Sequence, residues 1–199
     1  MKKIPTLFER EYENHEVVRV SRKVTPGCEG VLKGEGIATV KIDGSCCAVL
    51  GGVFYRRYDA RRGKKPPEGA IPCQEADPVT GHWPHWVKVS DTAPEDYWHR
   101  MGYIHSLKNG DLPDGTYEIA GPHFRSNPYG LAEDVLIPHG REAVEVDRSY
   151  EGIREYLKTH AVEGLVFWKN GEPWCKIKRS DFGLKWPVTQ KEIEESRNE

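Results

Sequence analysis

Two stretches of the chain alternate apolar and polar residues about a glycine turn. "CCAVLGGVFYRRY" (46–58) is a pair of β-rich runs joined by Gly51-Gly52, which supply the positive φ angles of a tight hairpin. "VEGLVFWKNGEPWCKIKR" (162–179) repeats the design around Asn170-Gly171, a strong short hairpin signal. A two-residue turn there pairs Lys169 with Glu172 and sets Glu163 opposite Lys178. Period-two alternation then puts Glu163, Leu165 and Phe167 on one face with Trp174, Lys176 and Lys178. Between the hairpins, "DGTYEIAG" (114–121) reads as a short strand entered through a turn.

Helical spacing is rarer. "APEDYWHRMGYIHSLKNG" (93–110) has proline at its start, acidic residues in its first turn, Trp98, Met101 and Ile104 on one stripe, and Gly110 to stop it. "SYEGIREYLKTH" (149–160) places Tyr150, Ile153 and Leu157 at helical spacing behind a serine cap. The tail "TQKEIEESRNE" (189–199) predicts a polar helix capped by Thr189. Irregular stretches at 59–92 and 121–141 carry Pro, Gly, His and Trp, and loops of that length in a compact domain tend to be functional. With no repeat and no visible linker, the expectation is one α+β domain over residues 1–199, its antiparallel sheets flanked by helices.

Composition narrows the function. At 37% hydrophobic and 30% charged residues the chain suits a globular protein with a wet surface. The formal charge of -2 leaves any nucleic-acid affinity to a local patch. No apolar run has the length of a membrane span, and the start "MKKIPTLFERE" turns polar too early for a signal peptide, so no membrane partner is expected. Cys28, Cys46, Cys47, Cys73 and Cys175 are odd in number and contain no C-x-x-C pair. Reduced thiols in a cytoplasmic protein follow from that, with Cys46 and Cys47 on opposite sides of a strand. "GHWPHW" (81–86) offers His82 and His85 but no third metal ligand at useful spacing. "RRGKKPP" (61–67), with Arg61, Arg62, Lys64 and Lys65, is the densest basic run and a candidate for gripping RNA phosphates, or else a solvated loop.

A lysine two residues before an aspartate-glycine pair, as in "KIDG" (41–44), occurs by chance in roughly one chain in twenty of this size. What raises it above chance is order: Lys41, Arg57, Glu118, Glu163, Lys176 and Lys178 each lie beside a predicted strand. In this order the chain resembles the covalent nucleotidyltransferases, which include ATP-dependent DNA and RNA ligases and mRNA-capping guanylyltransferases. "KIDG" is similar to their motif I, "RRYDAR" to the motif Ia region, "YEIAG" to motif III, "VEGLVFW" to motif IV and "KIK" to motif V. The likeness is closer to a small group of RNA ligases, a former domain of unknown function linked to 5′-to-3′ RNA joining in vertebrates and bacteria. "IPTLF" (4–8), "KIDGSCC" (41–47), "SNPYGL" (126–131) and "GLKWP" (183–187) carry it over nearly the whole chain.

The resemblance implies a nucleotidyltransferase domain in which Lys41 attacks the α-phosphate of ATP and carries AMP. A lysine is a poor nucleophile near neutrality, and lowering its pKa from about 10.4 to about 7.5 takes roughly 4 kcal/mol of differential interaction. Lys176, Lys178 and Mg²⁺ are its implied sources, and both lysines would also balance phosphate charge. Glu163 would hold Mg²⁺, with Mn²⁺ as substitute, and Glu118 and Asp43 would join it through water. Glu118 on the ribose hydroxyls is the alternative. Val40 and Asp43 are expected beside the nucleotide. Arg57 is preferred to Arg56 for ribose and phosphate, and Phe124 is the candidate to stack on adenine, with Tyr129 as rival. His123 and His139 receive no role. The chain ends soon after Lys178, so no C-terminal OB domain is expected and RNA binding could need a separate partner. The expected activity is ATP-dependent joining of an RNA 5′-phosphate to a 3′-hydroxyl. A capping guanylyltransferase, a DNA ligase and a non-catalytic RNA-binding domain remain the alternatives.

Overall fold

A computed structural model describes residues 3–14, 16–60 and 64–197, so Arg61 and Arg62 of the basic run lie outside the described residues. In chain order its elements are β1 (Phe8–Glu13), β2 (Glu16–Val24), α1 (Glu29–Leu32), β3 (Ile37–Lys41), β4 (Ser45–Leu50), β5 (Val53–Ala60), β6 (Ile71–Pro72) and β7 (Trp83–Lys88). They continue with α2 (Tyr97–Lys108), β8 (Gly115–Ala120), β9 (Val135–Pro138), α3 (Tyr150–Thr159), β10 (Gly164–Lys169), β11 (Glu172–Lys178) and α4 (Gln190–Glu195). The class is α+β, and every pairing between these strands is antiparallel. No helix among the described residues is long and apolar enough to cross a membrane. The chain divides into two compact units, one built from Asp43–His139 with Lys3, the other from Ile4–Ile42 with Gly140–Glu199.

The first unit holds a sheet of order β6-β7-β5-β4-β8-β9. Its β4–β5 hairpin turns at Gly51 and Gly52, with φ of 58° and 73°, as the sequence predicts. The Asp114 carboxylate accepts from both glycine N–H groups, at 2.6 and 3.0 Å, and these bonds hold its pKa below the usual carboxylate range. One face of the sheet buries Cys47, Val49, Phe54, Tyr117, Ile119 and Leu136.

Helix α2 packs through a different face from the one its apolar stripe predicts. Trp98 and Ile104 are 44% and 45% exposed, whereas Gly102 and Ser106 are buried. Small residues let the helix come close to the sheet: a Cβ on Gly102 would lie 2.5 Å from Ile119 Cδ1. Ser106 Oγ donates to the Gly102 carbonyl and accepts from the Leu136 N–H at 2.7 Å, tying α2 to β9. Close approach and a buried hydroxyl outweigh the larger side chains.

The second unit contains a sheet of order β11-β10-β3 and the β1–β2 hairpin. Its core gathers Leu7, Phe8, Ile153, Leu157, Leu165, Phe167, Cys175 and Ile177. Helix α3 keeps its predicted cap, Ser149 Oγ accepting from the Gly152 N–H at 3.0 Å, and buries Ile153 and Leu157. At α4, Thr189 and Glu192 form a reciprocal capping box.

The β10–β11 hairpin corrects the predicted register. Lys169 pairs with Glu172 across Asn170 and Gly171, but a bulge follows: Trp168 faces Pro173 while Phe167 faces Cys175. Trp174 is the extra residue, and the register beyond it shifts by one. Lys178 therefore opposes Gly164 rather than Glu163, and Leu165 and Phe167 share the core face with Ile177 and Cys175. Lys176 and Lys178 point to the other side.

Filling the α2 contact tests this packing. Gly102→Val should lower unfolding stability by about 1–3 kcal/mol, measured by urea denaturation, because the added methyls meet Ile119 and Asp134.

Candidate functional site

In the second unit, three lysines lie on the face turned away from the core. Directly opposed residues of a sheet point the same way. Lys41, Gly164 and Lys178 thus form one row across β3, β10 and β11, and Thr39, Val166 and Lys176 form the next. Gly164 keeps the first row open between its lysines. A Cβ there would lie 2.2 Å from the Ile177 carbonyl oxygen, so the position admits no side chain without backbone movement.

Glu163 precedes β10 and reaches Lys41 from the strand's end. Its Oε2 lies 2.5 Å from Lys41 Nζ, with the two side chains 11% and 22% exposed. The Glu163 carbonyl accepts from the Arg179 N–H at 2.9 Å. Arg179 itself is buried, its guanidinium donating to the carbonyls of Leu157, His160 and Lys185 around the end of α3. The Lys178 N–H donates to Asp181 at 2.8 Å, and Arg10 donates to the other oxygen of the same carboxylate.

"IPTLF" runs along the edge of β11. Lys176 donates its N–H to Pro5 O at 3.0 Å and accepts from Leu7 N–H at 2.7 Å, while Leu7 and Phe8 are fully buried. That sequence therefore fixes the backbone of Lys176 from outside the sheet. Burial, followed by the charges of Lys41, Lys178 and Arg10, pulls the Lys176 pKa down to about 8 against the smaller opposing pull of Glu163.

In the first unit, the sheet face opposite the core carries Cys46, Arg57 and Glu118. Cys46 pairs with Glu118 across β4 and β8. His139, in the turn after β9, brings its Nε2 to 2.9 Å from Glu118 Oε2. Arg57 pairs with Asp59 at 3.1 Å. Arg56 points to the other face and meets buried Asp96 at 2.5 Å, so it serves the packing of this unit, and Arg57 is the arginine on the Glu118 face. One ligand atom each from Cys46, Glu118 and His139 lie within 4.8 Å of one another.

"SNPYGL" folds back on Asp43 and Gly44. Arg125, Ser126 and Asn127 all adopt positive φ, and the Asn127 amide brackets Leu131 through both its oxygen and its nitrogen. This loop sets the Tyr129 hydroxyl 2.6 Å from the Asp43 N–H, which donates to it. Arg125 donates to the Gly44 carbonyl at 3.1 Å and stands 3.8 Å from the Asp43 carboxylate.

Lys41, Glu163, Lys176 and Lys178 thus come together in the second unit, and Arg57 and Glu118 share a face in the first. Val40 pairs with Leu165, which turns its side chain to the core face, and its N–H donates to Glu142 O. Phe124 is 8% exposed within the core of its unit, with its ring edge-on to His99. Asp43 is engaged by Arg125 and Tyr129. His85 is buried with Nδ1 on the Trp83 carbonyl, a structural role. His139 and Arg10 were missed, because only the pairing of β9 with β8 and of Arg10 with Asp181 reveals them.

No family model matches the chain. Among curated proteins it is similar to RNA ligase 1 of Danio rerio, 31% identical over 140 residues, covering 54% of this chain and 43% of that protein. Its named relatives are RNA ligases. RNA ligase 1 of Pongo abelii is 25% identical over 226 residues and that of Rattus norvegicus 25% over 227, each match covering 76% of this chain and 69% of the relative. These distant homologues support an RNA ligase family for the chain.

The environment of Lys176 has a measurable consequence for stability. Below about pH 8 this lysine is protonated in both states and the folded state bears the full cost of its charge. Between about 8 and 10.5 the unfolded chain binds more protons, so stability from this group rises with pH. Lys176→Met should stabilise the ligand-free protein at pH 7 by on the order of 2 kcal/mol, with the gain shrinking towards pH 10.5. Urea denaturation across that range reads it directly.

Proposed function

We propose that this chain is an ATP-dependent RNA ligase of the nucleotidyltransferase type, with Lys41 as the residue that takes up AMP. The observation that carries the reading is the amine of Lys41 held 2.5 Å from Glu163, on a face shared with Lys176 and Lys178. One nucleophile, one acceptor and two cations are what phosphoryl-group capture requires.

In the first step Lys41 Nζ, having lost a proton, attacks the α-phosphorus of ATP. The bond from that phosphorus to the bridging oxygen breaks, pyrophosphate leaves, and a phosphoramidate to AMP forms. Glu163 Oε2 is the nearby acceptor for the proton. Lys178, in the same row as Lys41, and Lys176, in the next, balance the charge that builds on the phosphate oxygens. In the second step an oxygen of an RNA 5′-phosphate attacks the AMP phosphorus, the P–N bond breaks and Lys41 recovers its proton. In the third a 3′-hydroxyl attacks the 5′-phosphate phosphorus, losing its proton as AMP departs.

The donor chemistry divides the remaining roles. Glu163 offers hard carboxylate oxygen beside the phosphate-binding lysines, which fits Mg²⁺ or Mn²⁺. Such an ion supplies electrostatic compensation for phosphate charge. Glu118 stands with a thiol and an imidazole, a poor set for magnesium, and its role here is the ribose hydroxyls, with Arg57 on the same face contacting ribose and phosphate.

Incubation with α-labelled ATP and Mg²⁺ should attach label covalently to the wild-type protein, and α-labelled GTP should not replace it. Lys41→Ala should lose this labelling by at least about 10³-fold while still sealing RNA that already carries a 5′-adenylate. Full joining by the mutant with ATP would remove Lys41 as the nucleophile.

A further inference from the structure

We propose that Cys46, Glu118 and His139 form a binding site for a thiophilic divalent cation, with Zn²⁺ the best match, distinct from any magnesium held at Glu163. The three residues come from β4, β8 and the turn after β9, and sheet pairing brings them together. Cys46 and Glu118 are direct cross-strand partners, and Tyr117 pairs with Pro138, the residue before His139. Their ligand atoms lie within 4.8 Å of one another. A tetrahedral ion with bonds of about 2.0–2.3 Å needs ligand atoms roughly 3.3–3.8 Å apart, and with His139 Nε2 at 2.9 Å from Glu118 Oε2 and all three donors within 4.8 Å, small side-chain adjustments set them around an ion.

The donor set decides the metal. Sulfur, imidazole nitrogen and one carboxylate oxygen suit zinc and its neighbours in the transition series and disfavour magnesium. None of the three side chains is fully used by the fold. The imidazole of His139 has Nε2 on Glu118, while its buried Nδ1 has no hydrogen-bond partner among the described residues. Cys46 is a free thiol, engaged in no disulfide. A bound cation would take the sulfur as thiolate, the displaced proton passing to solvent. Arg57, on the same face as Cys46, would then serve as an outer donor to a metal-bound thiolate. With one negative thiolate, one carboxylate and a neutral imidazole, the loaded site carries no net charge next to that guanidinium.

Because the site uses Glu118, a bound cation would compete with the ribose contact proposed above for this residue. The metal site itself does not depend on that role, and its test contains no nucleotide. Co²⁺ titrated into the full chain should give a thiolate-to-cobalt charge-transfer band that saturates at one equivalent and is abolished by Zn²⁺. His139→Ala should weaken the binding at least tenfold, and Cys46→Ser should remove the band. In the wild-type protein Zn²⁺ should also slow alkylation of Cys46 but not of Cys73, mapped by mass spectrometry, which keeps the test independent of whether a variant folds. Absence of the band from the wild type, its survival in folded Cys46→Ser, or equal alkylation of Cys46 with and without Zn²⁺ would each overturn the site.

Discussion

The bulge at Trp174 is the constraint on which the chemistry of the second unit depends. In a regular hairpin, Lys176 and Lys178 would share a face with Leu165 and Phe167, both fully buried. Two ammonium groups in that core would each cost several kcal/mol without partners. One extra residue moves both lysines to the opposite face and brings Cys175 and Ile177 into the core instead. The bulge is itself anchored: Trp174 Nε1 donates to the Gly27 carbonyl at 2.8 Å, and Lys169 Nζ lies 4.7 Å above its ring. Pro173, which has no N–H to give the ladder, sits beside it, where a strand tolerates proline.

The face that results is electrostatically unfavourable in the ligand-free protein. Lys41, Lys176 and Lys178 are gathered beside Glu163, and Lys176 bears the consequence in its lowered pKa. The surrounding structure holds that arrangement by backbone bonds that do not depend on charge. Pro5 and Leu7 grip Lys176, Asp181 accepts from the Lys178 N–H, and Arg179 is locked against the end of α3. A bound anion would relieve the repulsion. The fold thus spends stability where a phosphate chain is proposed to bind, as functional sites commonly do.

Much of this architecture was legible in the sequence. Gly51-Gly52 and Asn170-Gly171 marked their turns because positive φ leaves few alternatives, and Ser149 and Thr189 marked helix starts through their capping oxygens. The bulge was not legible, since alternation around Pro173 fits two registers and only the buried partners choose between them. Helix α2 misled for a related reason. Its apolar stripe is real, but the contact is made by Gly102 and Ser106, whose value lies in their small size and a single hydroxyl. The burial of Phe124 against the core of its unit could not be read locally. His139 was invisible because nothing in one dimension tells that β9 lies against β8.

In both units the site and the core are built from neighbouring residues on the same strands. Cys47, Arg56 and Tyr117 face the packed side of the first sheet, and their neighbours Cys46, Arg57 and Glu118 face the other. A strand cannot move one set without the other, so the positions of the polar groups are inherited from how the core closes. Gly44 shows how tight that inheritance is. A Cβ there would stand 2.2 Å from the Ile119 carbonyl oxygen and 2.9 Å from Glu118 Cγ, so only glycine lets β4 start close enough to β8 to set Cys46 opposite Glu118. The glycine of "KIDG" therefore acts on the strand that follows it. That is a physical reason for the glycine and Cys46 to be read together.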